Sequence, residues 1–232
     1  MLVLLILTAL QLCGGSFTAS MDYYLIVYYL HEGNIADGAI WKGVLSTSYA
    51  AVGLLTIPII AKLSLHYSKI NALKFIYWLT IIGGCLKWFI FTPDTRWLII
   101  VDAVFCTVIW TAMTMLIPSM LADLCDEDEL QNGHRREGLF VSLHAWVINF
   151  SLAAAVLISG FCLNAIGFDA SKQAEQASDS ILSMRIILSA GTVIFSIIPL
   201  WFIQHYKIDA QRSQQTQQKL QQKQLNKNKK DR

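Results

Sequence analysis

The chain has 232 residues, of which 15% are charged and 55% hydrophobic, with a mean hydropathy of +0.48. Soluble domains carry roughly a quarter charged residues, so this composition belongs to the membrane class. A net charge of +2, with basic residues in short loops and at the C-terminus and no aromatics interleaved among them, excludes a nucleic-acid-binding surface. Six apolar blocks meet the length of a spanning helix: Val3–Leu30, Gly43–Leu65, Ile70–Phe91, Trp97–Leu121, Leu139–Ile166 and Met184–Gln204. An all-α integral membrane fold follows, because helices are the open-ended way to satisfy a backbone in lipid. The first block, "MLVLLILTALQLCGGS", has a signal-peptide-like core and a hint of a lipoprotein site. It lacks a basic lead, Leu12 is bulky for such a site, and the apolar run resumes in "YYLIVYYL", so a full span is expected. Met1 opens directly into lipid-phase sequence, which reads as a chain entered partway through.

Thirteen of the eighteen Lys and Arg fall on the side of the termini, four (Lys42, Arg96, Lys172, Arg185) fall on the other, and Lys87 lies within a span. The positive-inside rule then puts both termini in the cytoplasm of a cytoplasmic (inner or plasma) membrane. The transmembrane domain is expected over residues 1–206, and the Gln/Lys-rich stretch 207–232 is expected to be a disordered cytoplasmic tail. The five cysteines show neither a CxxC pair nor metal spacing, so no disulfide framework, metal site or other cofactor is read.

Between the fourth and fifth spans stands "ADLCDEDELQNGHRREG", a dense group of charges in an apolar chain. A calcium loop fails in both registers: from Asp126 the sixth position is Gln131, and from Asp128 the twelfth is Leu139. Two readings remain, a solvated turn and a gate. In the second, Arg135 and Arg136 fold back toward Asp123 and Asp126 in exposed ion pairs of about 0–1 kcal/mol, weak enough to form and break.

"PSMLADLCDEDELQNGHRREGLFVS" resembles the signature of the glycoside–pentoside–hexuronide:cation symporters, the melibiose-permease-like branch of the major facilitator superfamily. Asp123, Asp126, Gly133, Arg135, Glu137 and Gly138 match its Ala-Asp pair, second acid, Gly, Arg and Glu-Gly, and "FTASMDYYLIVYYL" is similar to the first helix of that family's second half. The resemblance implies the C-terminal six-helix half of a twelve-helix carrier, built as two inverted three-helix repeats. It further implies a sugar or glycoside substrate, H⁺ or Na⁺ as coupling ion, and a partner that is a separate N-terminal half or a second copy. Trp110 falls where the family stacks an aromatic ring on the sugar. Asn149 falls where the family commonly has a lysine, which puts the usual cation coupling in question; His144 is a titratable alternative or a packed neutral histidine.

Charged groups inside the bilayer need a reason. Asp22 either lines the substrate cavity or meets an internal amide or water. Lys87 and Asp102, at similar depths from the outer ends of spans three and four, pair with one another or leave Lys87 to snorkel. The expected sites are therefore Trp110, Asn149 and Asp22 for substrate, and Asp123, Asp126, Arg135, Arg136 and Glu137 for a cytoplasmic gate. The leading function is half of a cation-coupled sugar carrier working by alternating access, a carrier and not an enzyme. The alternatives are a non-transporting membrane remnant or interaction protein, and a homodimeric six-span carrier.

Overall fold

The computed structural model describes residues 1–169, 176, 178–206 and 210–230. Helix α1 (Leu2–Tyr24) runs on through a π-helical turn (Leu25–Leu30); α2 is Ile35–Tyr67 and α3 is Lys69–Ile90. A 3₁₀ turn (Pro93–Leu98) leads into α4 (Ile99–Asn132), followed by α5 (Glu137–Ala165), α6 (Ser178–Phe202) with a 3₁₀ end (Ile203–His205), and α7 (Ala210–Lys230). Among the described residues six helices are long and apolar enough to cross a membrane. The fold is all-helical and integral to the membrane. Lys172, counted in the charge asymmetry, lies outside the described residues.

The turns are set by local chemistry. Asn34 caps α2 by accepting from the Asp37 N–H at 3.2 Å. Ser68 alone joins α2 to α3, at φ 72°, and its hydroxyl accepts from the Asn71 N–H. Gly133 ends α4 in the left-handed region at φ 74°, its N–H returning to the Glu129 carbonyl at 2.9 Å, the geometry that favours glycine at this position.

Packing reveals two repeats. Helix α1 packs on α5 and α6, α4 packs on α2 and α3, and α3 packs on α6. Exchanging α1 with α4, α2 with α5 and α3 with α6 leaves that pattern unchanged. Because successive spans alternate in direction, α1 and α4 run oppositely, and the two three-helix repeats are inverted. Close approach depends on small residues: a Cβ on Gly14 of α1 would lie 2.1 Å from the Phe195 ring of α6.

Two apolar clusters hold the bundle. Leu4, Leu7, Leu73, Tyr77, Leu116 and Met120 belong to the one at the end that carries the termini. Phe17, Met21, Leu25, Phe91, Ile99 and Met184 belong to the one at the opposite end. Between them lies a layer of buried polar side chains, including Gln11, Thr18, Thr80, Thr107, Thr192 and Ser196. Four of these hydroxyls donate to carbonyls of their own helices, Thr18 to Gly15, Thr80 to Ile76, Thr192 to Leu188 and Ser196 to Thr192, while the Thr107 hydroxyl has no protein partner.

One expectation changes here. Helix α4 does not stop near Leu121 but continues to Asn132, so the acidic stretch is helix and only Gly133–Arg136 forms the turn. Residues 210–230 form a helix whose side chains meet the acids of α4. Arg212 Nη2 donates to Glu127 Oε1 at 2.6 Å, and Thr216 Oγ1 donates to Glu127 Oε2 at 2.8 Å.

Candidate substrate groove and ion-pair layers

A groove of about 590 Å³ opens on the exposed side of α2 and α4. Its walls carry Lys42, Ser46, Tyr49, Thr107, Trp110, Thr111 and Thr114. An ammonium and several hydroxyls on an exposed helical face at membrane depth do not suit lipid; they suit a cavity or a partner surface. Trp110, half-buried, forms part of the groove wall. It sits against α1 because Gly15 has no side chain: a Cβ there would meet the indole at 2.6 Å. Pro118, one turn beyond Thr114, leaves the Thr114 carbonyl without its helical N–H.

Behind the groove, sharing Ala19, Tyr49 and Trp110 with it, is a smaller, partly open cavity of about 50 Å³. Gln11, Asp22, Thr80, Lys87, Thr192 and Ser196 contribute to its lining. That volume suits a few waters and is too small for a sugar ring.

Two ion pairs stand at this depth. Lys42 Nζ donates to Asp22 Oδ1 at 2.7 Å, joining α2 to α1, with the lysine side chain 24% exposed and the aspartate 3%. Lys87 Nζ donates to Asp102 Oδ2 at 2.8 Å, joining α3 to α4, with exposures of 4% and 0%. The Tyr49 hydroxyl donates to that same Oδ2 at 2.5 Å, so α2 is tied to the second pair as well. Lys87 therefore pairs inside the protein and does not snorkel.

Asp22 lines the inner cavity and not the groove. Asn149 is exposed on α5, its amide donating to the Ala145 carbonyl at 3.0 Å, and it does not line the groove that holds Trp110. His144, also on α5, lies within hydrogen-bonding distance of Thr8 on α1, Nε2 to Oγ1 at 3.1 Å, and so links the two helices.

At the end with the termini a second charged layer forms. Arg135 lies 3.7 Å from Asp126, 3.2 Å from Glu129 and 2.9 Å from Glu137. Arg136 takes Asp128 in a two-pronged contact, at 2.9 and 2.6 Å. Hydrogen bonding to Glu137 and to Asp128 holds the respective guanidinium groups above their ordinary pKa. The expected approach of the arginines to Asp123 is replaced by another partner. Asp123 accepts from Lys69 at 2.6 Å and from Ser213 of α7 at 2.9 Å. The reason is the extended helix: it turns Asp123, Glu127 and Leu130 onto one face, where α7 lies, and Asp128 and Asn132 onto another.

Lys42, Tyr49 and Lys69 were missed as site residues. A signal existed for the first: Asp22 and Lys42 are equidistant from the turn at Glu32, as antiparallel neighbours must be to meet.

Residues 1–210 match the family described as MFS/sugar transport protein. A protein of Pseudescherichia vulneris, the "Uncharacterized 29.9 kDa protein in crtE 3'region", is 26% identical over 204 residues, covering 87% of this chain and 70% of that protein. The matched span takes in all six membrane helices, the groove and both layers of ion pairs, and the chain belongs to the MFS/sugar transport protein family, a family of membrane transporters.

Proposed function

We propose that the chain supplies one six-helix half of a sugar or glycoside carrier, working by alternating access and coupled to a cation. The observation that carries this reading is the groove: a sugar-sized recess with a tryptophan on one wall, rimmed by hydroxyls and one ammonium, on an open helical face. Indole stacks on the C–H face of a pyranose, and the threonines and Lys42 supply hydrogen-bond partners for its hydroxyls. Asn149, on the exposed side of α5, contributes from outside this groove once a further half closes the cavity. That half is a separate six-helix chain or a second copy of this one. Asp22 acts one layer behind the sugar, through Lys42.

The Lys/Arg distribution supports cytoplasmic termini. In that orientation Asp123, Asp126, Arg135, Arg136 and Glu137 form the cytoplasmic gate. Most of their contacts are exposed, and such contacts cost little to break.

The test is uptake of radiolabelled methyl glucoside and methyl galactoside into liposomes holding the full chain, alone and with a co-expressed six-helix partner. Saturable uptake that falls at least tenfold in Trp110→Ala, with folded yield kept, supports the reading. Absence of binding and uptake under both arrangements leaves a membrane protein that folds and associates without carrying sugar.

A further inference from the structure

We propose that the coupling ion is a proton, that Asp22 accepts it, and that Lys42 makes proton uptake and substrate binding depend on one another. This rests on the carrier reading above and names the ion and its acceptor.

The argument begins with an asymmetry between two otherwise similar pairs. Lys87 and Asp102 are both sealed, at 4% and 0% exposure, and Tyr49 adds a third contact. Neither member has anywhere else to place its charge. In the other pair Asp22 is sealed at 3%, but Lys42 is 24% exposed and forms part of the groove wall. Lys42 therefore has an alternative partner, whatever oxygen occupies the groove, and Asp22 does not.

Charge balance then dictates the sequence of events. With both pairs made, Asp22, Asp102, Lys42 and Lys87 sum to zero. When a sugar oxygen draws the Lys42 ammonium toward the groove, the Asp22 carboxylate is left buried without its counter-charge, a costly state. Taking a proton from hydronium converts Asp22 to the neutral acid and releases one water. The sealed group then holds Lys87⁺, Asp102⁻ and neutral Asp22, again summing to zero. Lys42 keeps its own proton throughout. When the sugar leaves, Lys42 returns, and the proton passes from Asp22 back to water.

A metal cation fits less well. It needs several oxygen ligands around it, while the Lys87 ammonium lines the same cavity and repels it. A proton needs no such shell. Gln11 supplies an independent sign that this cavity handles polar traffic: it is 5% exposed, lines the cavity, and its Oε1 has no protein partner. Gln11 lies three helical turns from Asp22 on the same face of α1, and both side chains line the cavity.

The groups that face Asp22 are accounted for element by element. Helix α2 brings Lys42 and Tyr49, α3 brings Lys87, and α4 brings Asp102 and the buried thiol of Cys106, which also lines the cavity. Helix α6 gives the cavity Thr192, Phe195 and Ser196, and α5 faces this stretch of α1 with Ala155 and Leu163.

The decisive experiment is infrared difference spectroscopy of the full chain in lipid nanodiscs between alkaline and acid pH, without sugar. A protonated carboxylic acid adds a carbonyl-stretch band that a carboxylate lacks. The expected band is lost in Asp22→Asn, kept in Asp126→Asn, and displaced in frequency in Asp22→Glu, which retains a titrating acid if the asparagine variant folds poorly. In Lys42→Met the midpoint of the band moves up by about one pH unit or more, as removal of a paired ammonium demands. A band that survives Asp22→Asn, or a midpoint unmoved in Lys42→Met, overturns the proposal, as does loss of the band on adding sodium chloride in place of potassium chloride. Because this readout needs no substrate, it is separable from the methyl glycoside uptake assay. Failure of uptake with the band intact removes the carrier reading and not the titrating site.

Discussion

Lys87–Asp102 and Arg136–Asp128 use the same chemistry at opposite ends of the bundle, and they differ in almost everything else. The first pair is 4% and 0% exposed and joins two spans; the second is 48% and 15% exposed and bridges a four-residue turn. A sealed pair fixes where three helices meet, since neither charge can be abandoned without a large penalty. An exposed pair exchanges protein for water at little cost and is screened by salt. One layer is built to stay made, and the other is built to be made and unmade.

The comparison is broken most directly at Asp102. Asp102→Ala strands the Lys87 ammonium and should cost about 3–5 kcal/mol, enough to remove most folded protein in detergent thermal unfolding. The double variant Lys87→Met with Asp102→Leu should recover most of that loss; no recovery would mean that the charges are not what fixes the site. Tyr49→Phe removes one of two donors to a buried carboxylate and should cost about 1–3 kcal/mol by the same measurement. Removing residues 210–230 should leave the unfolding midpoint of the bundle nearly unchanged. It should raise hydrogen exchange over Asp123–Leu130, where α7 now supplies Ser213, Thr216 and Arg212. Arg136→Ala should give the smallest effect, no resolvable change in midpoint at moderate salt; a marked loss would show that the turn is a structural clamp.

Much of this arrangement was legible because hairpins of spanning helices are nearly one-dimensional. Lys87 and Asp102 flank the Pro93–Asp94 turn at nearly equal distances, so their encounter follows from counting. Asp22 and Lys42 obey the same count about Glu32, but Lys42 falls just outside the second apolar block, which begins at Gly43. Helix α2 begins at Ile35, since hydropathy marks where lipid begins and not where hydrogen bonding does. The same limit hid the partners of the acidic stretch. Hydropathy ends the fourth span near Leu121, while the helix continues to Asn132, and eleven further residues redistribute Asp123, Glu127 and Asp128 to different faces. The groove was out of reach for another reason: it is made by α2 and α4, which are not consecutive, and no count along the chain brings Trp110 beside Lys42.

The continued helix α4 also has a mechanical meaning. From Pro118, where the backbone ladder is interrupted, to Asn132 the helix extends about 21 Å at 1.5 Å per residue. It is a lever with its pivot one turn from Thr114 and its tip among the arginines. A tilt of roughly 10° about that proline carries the tip about 4 Å, which is the full reach of an ion pair. A displacement too small to notice at the groove is therefore amplified into the difference between contact and separation at the far end of the same rod.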